Sequence, residues 1–192
     1  MLSERFDDAL IYASRLHATQ RRKGSDIPYI AHLIGVASLA LEFGADEDQA
    51  IAALLHDAVE DQGGPPILEE IRGRFGNEVA DTVEGCTDAD TIPKPPWRHR
   101  KEVYIDHKKT ASASVLLVCG CDKLHNARAL VGDYRIVGEK LWDRFTGGRE
   151  GTLWYYRELV GTLRDAGAPA RLIDELDRTV SELERMAATR SA

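Results

Sequence analysis

Val115-Leu116-Leu117-Val118-Cys119-Gly120-Cys121-Asp122-Lys123-Leu124-His125-Asn126-Ala127-Arg128-Ala129-Leu130 is the stretch on which the choice between strand and helix turns. Its first five residues are apolar on nearly every side and, taken alone, would suit a buried strand. The pattern runs on to Leu130, which is too long for a strand. Positions 115, 118, 122, 125 and 129 share one face at about 3.6 residues per turn, so the stretch is a buried helix. Asp122 and His125 then stand in line with Val115 and Val118, and Asn126, one turn beyond Asp122, reaches the same space. A carboxylate carried into a core must be paired or must bind a cation.

A second stretch poses the same problem. In Leu54-Leu55-His56-Asp57-Ala58-Val59-Glu60-Asp61, four groups able to bind a metal or move a proton follow an apolar run. On a continuous helix His56 and Glu60 share a face, as do Asp57 and Asp61, and the two pairs are offset by only about 100°. All four can border one cavity while Leu54, Leu55 and Val59 pack inward. Carboxylates at the end of a helix oppose its dipole, and a divalent cation would offset that cost.

The remaining chain reads as helix throughout. Ser3 caps a first helix that runs to about Gln20, and Arg21-Arg22-Lys23-Gly24-Ser25-Asp26-Ile27-Pro28-Tyr29 is a loop by its Gly, Ser, Asp and Pro. A second helix, about 30–43, carries His32 in its first turn and ends at Gly44. Asp46 caps a third, 47–61, and Gly63-Gly64-Pro65-Pro66 stops it. Helices follow over about 66–75, 77–86 and 97–109, with a Pro-rich loop at 87–96. Beyond Gly132-Asp133 come amphipathic helices around Leu141, Trp142 and Phe145, over about 152–163, and after Pro169. The expectation is an all-α fold: one domain over 1–192, a bundle of about eight to ten helices. Within it, about 5–165 would form the catalytic core and about 169–187 a packing helix, with 187–192 frayed.

Composition narrows the function. The chain has 192 residues, 43% hydrophobic and 30% charged, and a formal net charge of −7. That charge argues against a nucleic-acid or membrane-surface binder, yet leaves room for a small anion held by a local cationic cluster. The first eight residues lack the order of a signal peptide, and no apolar run approaches a membrane span. Three cysteines are too few for a disulfide framework and suit buried thiols in a reducing compartment, so a cytoplasmic protein is expected.

His32, His56, Asp57 and Asp122, taken as one set from three helices, make a mixed nitrogen–oxygen site for Mn²⁺, Fe²⁺, Co²⁺ or Zn²⁺. No thiolate belongs to it, which argues against a structural zinc, and four protein ligands leave positions open for water and substrate. Glu60 and Asp61 remain beside it; one could take the proton of an attacking water while the other returns one to a leaving oxygen. Arg22 and Lys23 can grip phosphate, and Arg98, Arg100, Lys101, Lys108 and Lys109 form a second cationic patch. The parts describe metal-assisted hydrolysis of a phosphoester or pyrophosphate.

The set His32…His56-Asp57…Asp122 resembles the HD-domain metal-dependent phosphohydrolases, which implies that the helical bundle is of the HD type. Arg22-Lys23…Pro28-Tyr29-Ile30-Ala31-His32, Leu55-His56-Asp57-Ala58-Val59-Glu60-Asp61 and Asp122-Lys123-Leu124-His125-Asn126-Ala127-Arg128 are similar, in order and spacing, to the hydrolase domain of RelA/SpoT-type enzymes, over about 5–165. The resemblance implies removal of the 3′-pyrophosphate of ppGpp and pppGpp with Mn²⁺. It implies His32, His56, Asp57 and Asp122 as metal ligands and Glu60 and Asp61 as the residues that activate water. Arg22 would lie against the guanine and Lys23 near phosphate, while Asn126 and Tyr156 (or Tyr155) would contact the nucleotide. A chain of this length has no room for the synthetase and regulatory domains of the long enzymes, so a stand-alone hydrolase is expected. The loop after Lys23 is one residue longer than the commonest form, Cys121-Asp122-Lys123 replaces the usual Ala-Asp-Arg, and 87–97 matches poorly. These departures bear on base recognition rather than on the metal. Alternatives are an HD enzyme for another nucleotide (NADPH phosphate or a nucleoside monophosphate) or a nucleotide sensor without turnover.

Overall fold

Why the chain takes its helical course is visible at the helix ends. The computed structural model describes residues 2–88 and 95–189. Ser3 Oγ accepts from Arg5 N and opens α1, Glu4–Leu16. α2, Ile30–Glu42, follows the Pro28-Tyr29 turn and closes at Gly44, whose φ of 93° lies in the left-handed region that glycine tolerates. Asp46 then forms a capping box at the head of α3, Glu47–Leu55: its carboxylate accepts from Gln49 N at 2.9 Å, and the Gln49 side chain accepts from Asp46 N at 3.0 Å. Asp46→Ala is expected to lower folding stability by about 1 kcal/mol, read as a reduced midpoint in urea with an unchanged slope.

The third helix is shorter than its sequence suggests. It breaks at His56-Asp57, and a separate short helix, α4, covers Ala58–Gln62. α5, Pro65–Phe75, and α6, Asn77–Cys86, pack as a pair, and α7 spans Trp97–Lys108. Most of the 87–96 loop, residues 89–94, lies outside the described residues, as does 190–192 of the tail expected to fray.

α8, Ala113–Val137, is capped by Ser112 and continues past Gly132-Asp133, where an end was expected. All of 115–122 is buried, as a helix at the centre of a bundle requires. Gly138, at φ 60°, turns the chain into a 3₁₀ helix over Gly138–Arg144, in place of the α-helix expected around Leu141 and Trp142. α9, Gly148–Asp165, and α10, Ala170–Thr189, complete the bundle, with α10 laid along α8 and α9. Ala187, expected to fray, is instead fully buried.

One hydrophobic cluster takes side chains from every helix. α2, α3 and α8 contact one another pairwise within it, so three apolar helices meet where the sequence places its imidazoles and carboxylates. Among the described residues the only β-type pairing is an isolated bridge between Arg21 and Pro28, and no helix is long and apolar enough to cross a membrane. That bridge closes the 20–29 loop: Arg22 N donates to Ile27 O at 2.8 Å and Tyr29 N to Gln20 O at 3.0 Å.

Candidate metal centre and nucleotide cavity

The break after α3 is what assembles the centre. On a continuous helix adjacent side chains diverge by about 100°, yet here His56 Nε2 lies 3.0 Å from Asp57 Oδ2. His32, from the first turn of α2, brings its Nε2 to 3.5 Å from the same oxygen. Asp122, deep in α8, places Oδ1 3.2 Å from His32 Nε2 and 3.6 Å from His56 Nε2. The structure thus brings together all four side chains expected to share one cation. Both imidazoles and Asp122 are buried, and ligand atoms of His32, His56 and Asp57 lie within 4.8 Å of one another.

The outward nitrogens settle which way the rings face. His56 Nδ1 donates to Ala53 O at 2.8 Å, so its Nε2 is the nitrogen left for the centre. His32 Nδ1 lies 2.9 Å from His125 Nδ1, and burial and the neighbouring His32 lower the His125 pKa to about 4, so His125 is neutral and can accept. Gly35 lacks a side chain where His125 crosses α2; a Cβ there would collide with the ring. Among the described residues the two Nε2 atoms are buried without a hydrogen-bond partner and face carboxylate oxygens. Orphaned imidazole nitrogens opposed to acidic oxygens fit a divalent cation. A proton can play a similar part. Burial opposes charge on His56, but Asp57, with help from Asp122, holds its pKa well above the ordinary value. Burial likewise opposes the Asp57 and Asp122 carboxylates; His56 chiefly keeps the first ionised and Lys123 the second, both well below the usual range.

Each carboxylate has a further partner that periodicity did not single out. Tyr29 Oη donates to Asp57 Oδ2 at 2.6 Å, and Lys123 Nζ binds Asp122 Oδ2 at 2.6 Å. Asn126 Nδ2 donates to Asp122 Oδ1 at 2.5 Å, and Arg22 Nη2 donates to Asn126 Oδ1 at 2.7 Å. Tyr29 and Lys123 sit inside the quoted motifs, and that adjacency was the available signal for them. Their long side chains reach the site from positions that a helical wheel does not mark.

A cavity of about 450 Å³ opens beside the centre. Arg22, Lys23, Glu60, Asn126 and Tyr156, all expected at the site, line it, with Tyr29 and Lys123. Tyr155 lines it too, its buried hydroxyl without a hydrogen-bond partner among the described residues. Asp61 does not line it. That residue is exposed on α4, its Oδ2 accepting from Gln20 Nε2 at 2.7 Å; partial burial of its carboxyl and the charge of Asp57 raise its pKa. Of the second cationic patch only Arg100 and Lys101 reach the cavity, where both hold Asp88, at 2.5 and 2.8 Å. Arg98 lies over the Trp154 ring, Lys108 is buried against Gly85 O, and Lys109 pairs with Asp106 at the surface.

Comparison with known proteins agrees with this geometry. The model of the HD domain family matches residues 9–152. A Xenopus tropicalis protein named guanosine-3′,5′-bis(diphosphate) 3′-pyrophosphohydrolase MESH1 is 40% identical over 126 residues, 64% of this chain and 68% of the relative. The Drosophila melanogaster MESH1 protein is 36% identical over 180 residues, 92% of this chain and 94% of its own. A solved structure, described as a metazoan ortholog of SpoT that hydrolyzes ppGpp, superposes with a TM-score of 0.79 at 29% identity, covering 97% of this chain and 98% of that one. With two histidines and two aspartates gathered at the meeting of three helices, and with relatives of this kind along nearly its whole length, the chain belongs to the HD domain family, in the branch that contains the MESH1 proteins.

Proposed function

We propose that this chain is a metal-dependent phosphohydrolase that removes the 3′-pyrophosphate of ppGpp and pppGpp, giving GDP or GTP and pyrophosphate. The observation that carries the reading is the convergence of two bare imidazole nitrogens and two carboxylates beside a cation-walled cavity. His32, His56, Asp57 and Asp122 would hold the metal, with Mn²⁺ the proposed ion. When bound, it supplies Lewis acidity to the attacking water and the phosphoryl oxygen.

The chain's own residues do the rest. Glu60, on the cavity wall, takes the proton from the water that attacks the 3′-phosphorus. Asp61, beside Glu60 on the same short helix although not part of the cavity lining, returns one to the ribose 3′-oxygen as the phosphorus–oxygen bond breaks, a task favoured by a carboxyl whose pKa is raised. Arg22, fixed on Asn126, faces the base, Lys23 lies near phosphate, and Tyr156 contacts the nucleotide. The three thiols are free, which suits the cytoplasm.

The test is product analysis of the purified protein with Mn²⁺, offered ppGpp, pppGpp and a nicotinamide dinucleotide phosphate side by side. GDP or GTP appearing with equimolar pyrophosphate is the expected result. Release of monophosphate from the dinucleotide alone would move the protein to the alternative substrate class, and no release from any would leave the sensor reading.

A further inference from the structure

One network outside the metal centre reaches Asp61 directly and Asp57 by way of Tyr29. His17, at the end of α1, is buried with 2% of its surface exposed. Its Nδ1 lies 2.7 Å from Gln20 Oε1, and Gln20 Nε2 donates to Asp61 Oδ2 at 2.7 Å. With Asp61 Oδ2 accepting, the Gln20 amide presents its NH₂ there and turns its carbonyl to His17; Nδ1 donates along this 2.7 Å contact, the shorter of its two, Gln62 Nε2 lying 3.3 Å away. Gln62 Nε2 donates to the same carbonyl at 2.5 Å. The Gln20 backbone is held as well: its N–H donates to His17 O and its carbonyl accepts from Tyr29 N. Burial lowers the pKa of His17, so the ring is neutral, and its buried Nε2 has no hydrogen-bond partner among the described residues. The ring stacks on Tyr29 at 5.4 Å with an interplanar angle of 15°, and it is Tyr29 that donates to Asp57.

We infer that Gln20, oriented by His17, is a positioning residue: it holds Oδ2 of Asp61 and so leaves Oδ1 as the oxygen that carries the proton to the leaving 3′-oxygen. The inference rests on the reading of Asp61 given above. Proton balance is kept, since Glu60 gains the proton of water and Asp61 loses its own. Asp61 is an exposed residue of a five-residue helix, and this amide donates to it and limits its swing.

Gln20→Met keeps the length of the side chain and removes the hydrogen bonds. It is expected to lower kcat about tenfold, in the range usual for outer partners of a site. KM for ppGpp and the rise in melting temperature on adding Mn²⁺ should stay as in the wild type. His17→Phe, which keeps the stack on Tyr29 and loses the donor, should reproduce that fall. In an Asp61→Asn background Gln20→Met should cost nothing more, whereas a merely structural brace would raise KM or subtract a second time. If Asp61→Asn is slow while Gln20→Met and His17→Phe turn over at the full rate, the positioning role alone is wrong. If Asp61→Asn itself keeps the wild-type kcat, the reading of Asp61 is wrong and the inference goes with it.

Discussion

Asp122→Ala is expected to abolish metal binding and to cut kcat/KM by at least about 10³-fold, more than the tenfold to hundredfold typical of outer partners. The side chain does two things at once. Oδ1 stands between the two imidazoles, at 3.2 and 3.6 Å, while Oδ2 holds the ammonium of Lys123 at 2.6 Å. Removing the carboxylate takes away a ligand and also leaves Lys123 charged and mostly buried. The metal-free protein should therefore lose on the order of 3 kcal/mol of stability as well. Asp122→Asn separates the two effects. Asparagine keeps the volume and still offers an oxygen to Lys123, so that variant should fold, yet a neutral amide is a poor ligand. Metal content after dialysis and the shift in melting temperature with Mn²⁺ read the first effect, and steady-state kinetics the second. An Asp122→Asn protein that is metal-replete and fully active would mean that the centre is not the one drawn here.

What could be read in advance depended on which forces set each feature. The buried face of α8 was legible because periodic burial is a local property: 115, 118 and 122 are inward in the structure as the spacing implies. The capping residues Ser3 and Asp46 were legible for the same reason. The break at His56-Asp57 was not, since no glycine or proline marks it. It is held by side-chain contacts, with His56 folded back on Ala53 O of its own helix and Asp57 on the hydroxyl of Tyr29 from the far end of a loop. That break turns two neighbours toward one point and sends Glu60 to the cavity wall, while Asp61 ends outside it. The same limit applies to Leu141 and Trp142. Both are buried as expected, but apolar spacing could not distinguish the tighter 3₁₀ turn that follows Gly138. Likewise Lys123 was visible as a neighbour of Asp122, while its reach to the far carboxylate oxygen belongs to rotamer and packing.

Glu60→Gln should leave the metal in place, leave KM for ppGpp close to the wild-type value, and lower kcat by about 10²- to 10⁴-fold, the usual worth of a positioned proton acceptor. The substitution isolates proton acceptance because glutamine has nearly the same shape and can still hydrogen-bond. Glu60 is half-buried on α4, one turn from His56, and it shares the cavity wall with Lys101 and Lys123. None of the four proposed ligands is altered, so metal content and the Mn²⁺-dependent melting shift should match the wild type. This sets the variant apart from Asp122→Asn, which should lose both. Glu60→Asp adds a second comparison: it keeps the carboxylate and withdraws it by one methylene, so it should recover part of the rate lost by glutamine. If glutamine were as fast as glutamate, no proton would pass to this position, and the acceptor for the attacking water would have to be sought among the other acidic groups of the α3–α4 joint.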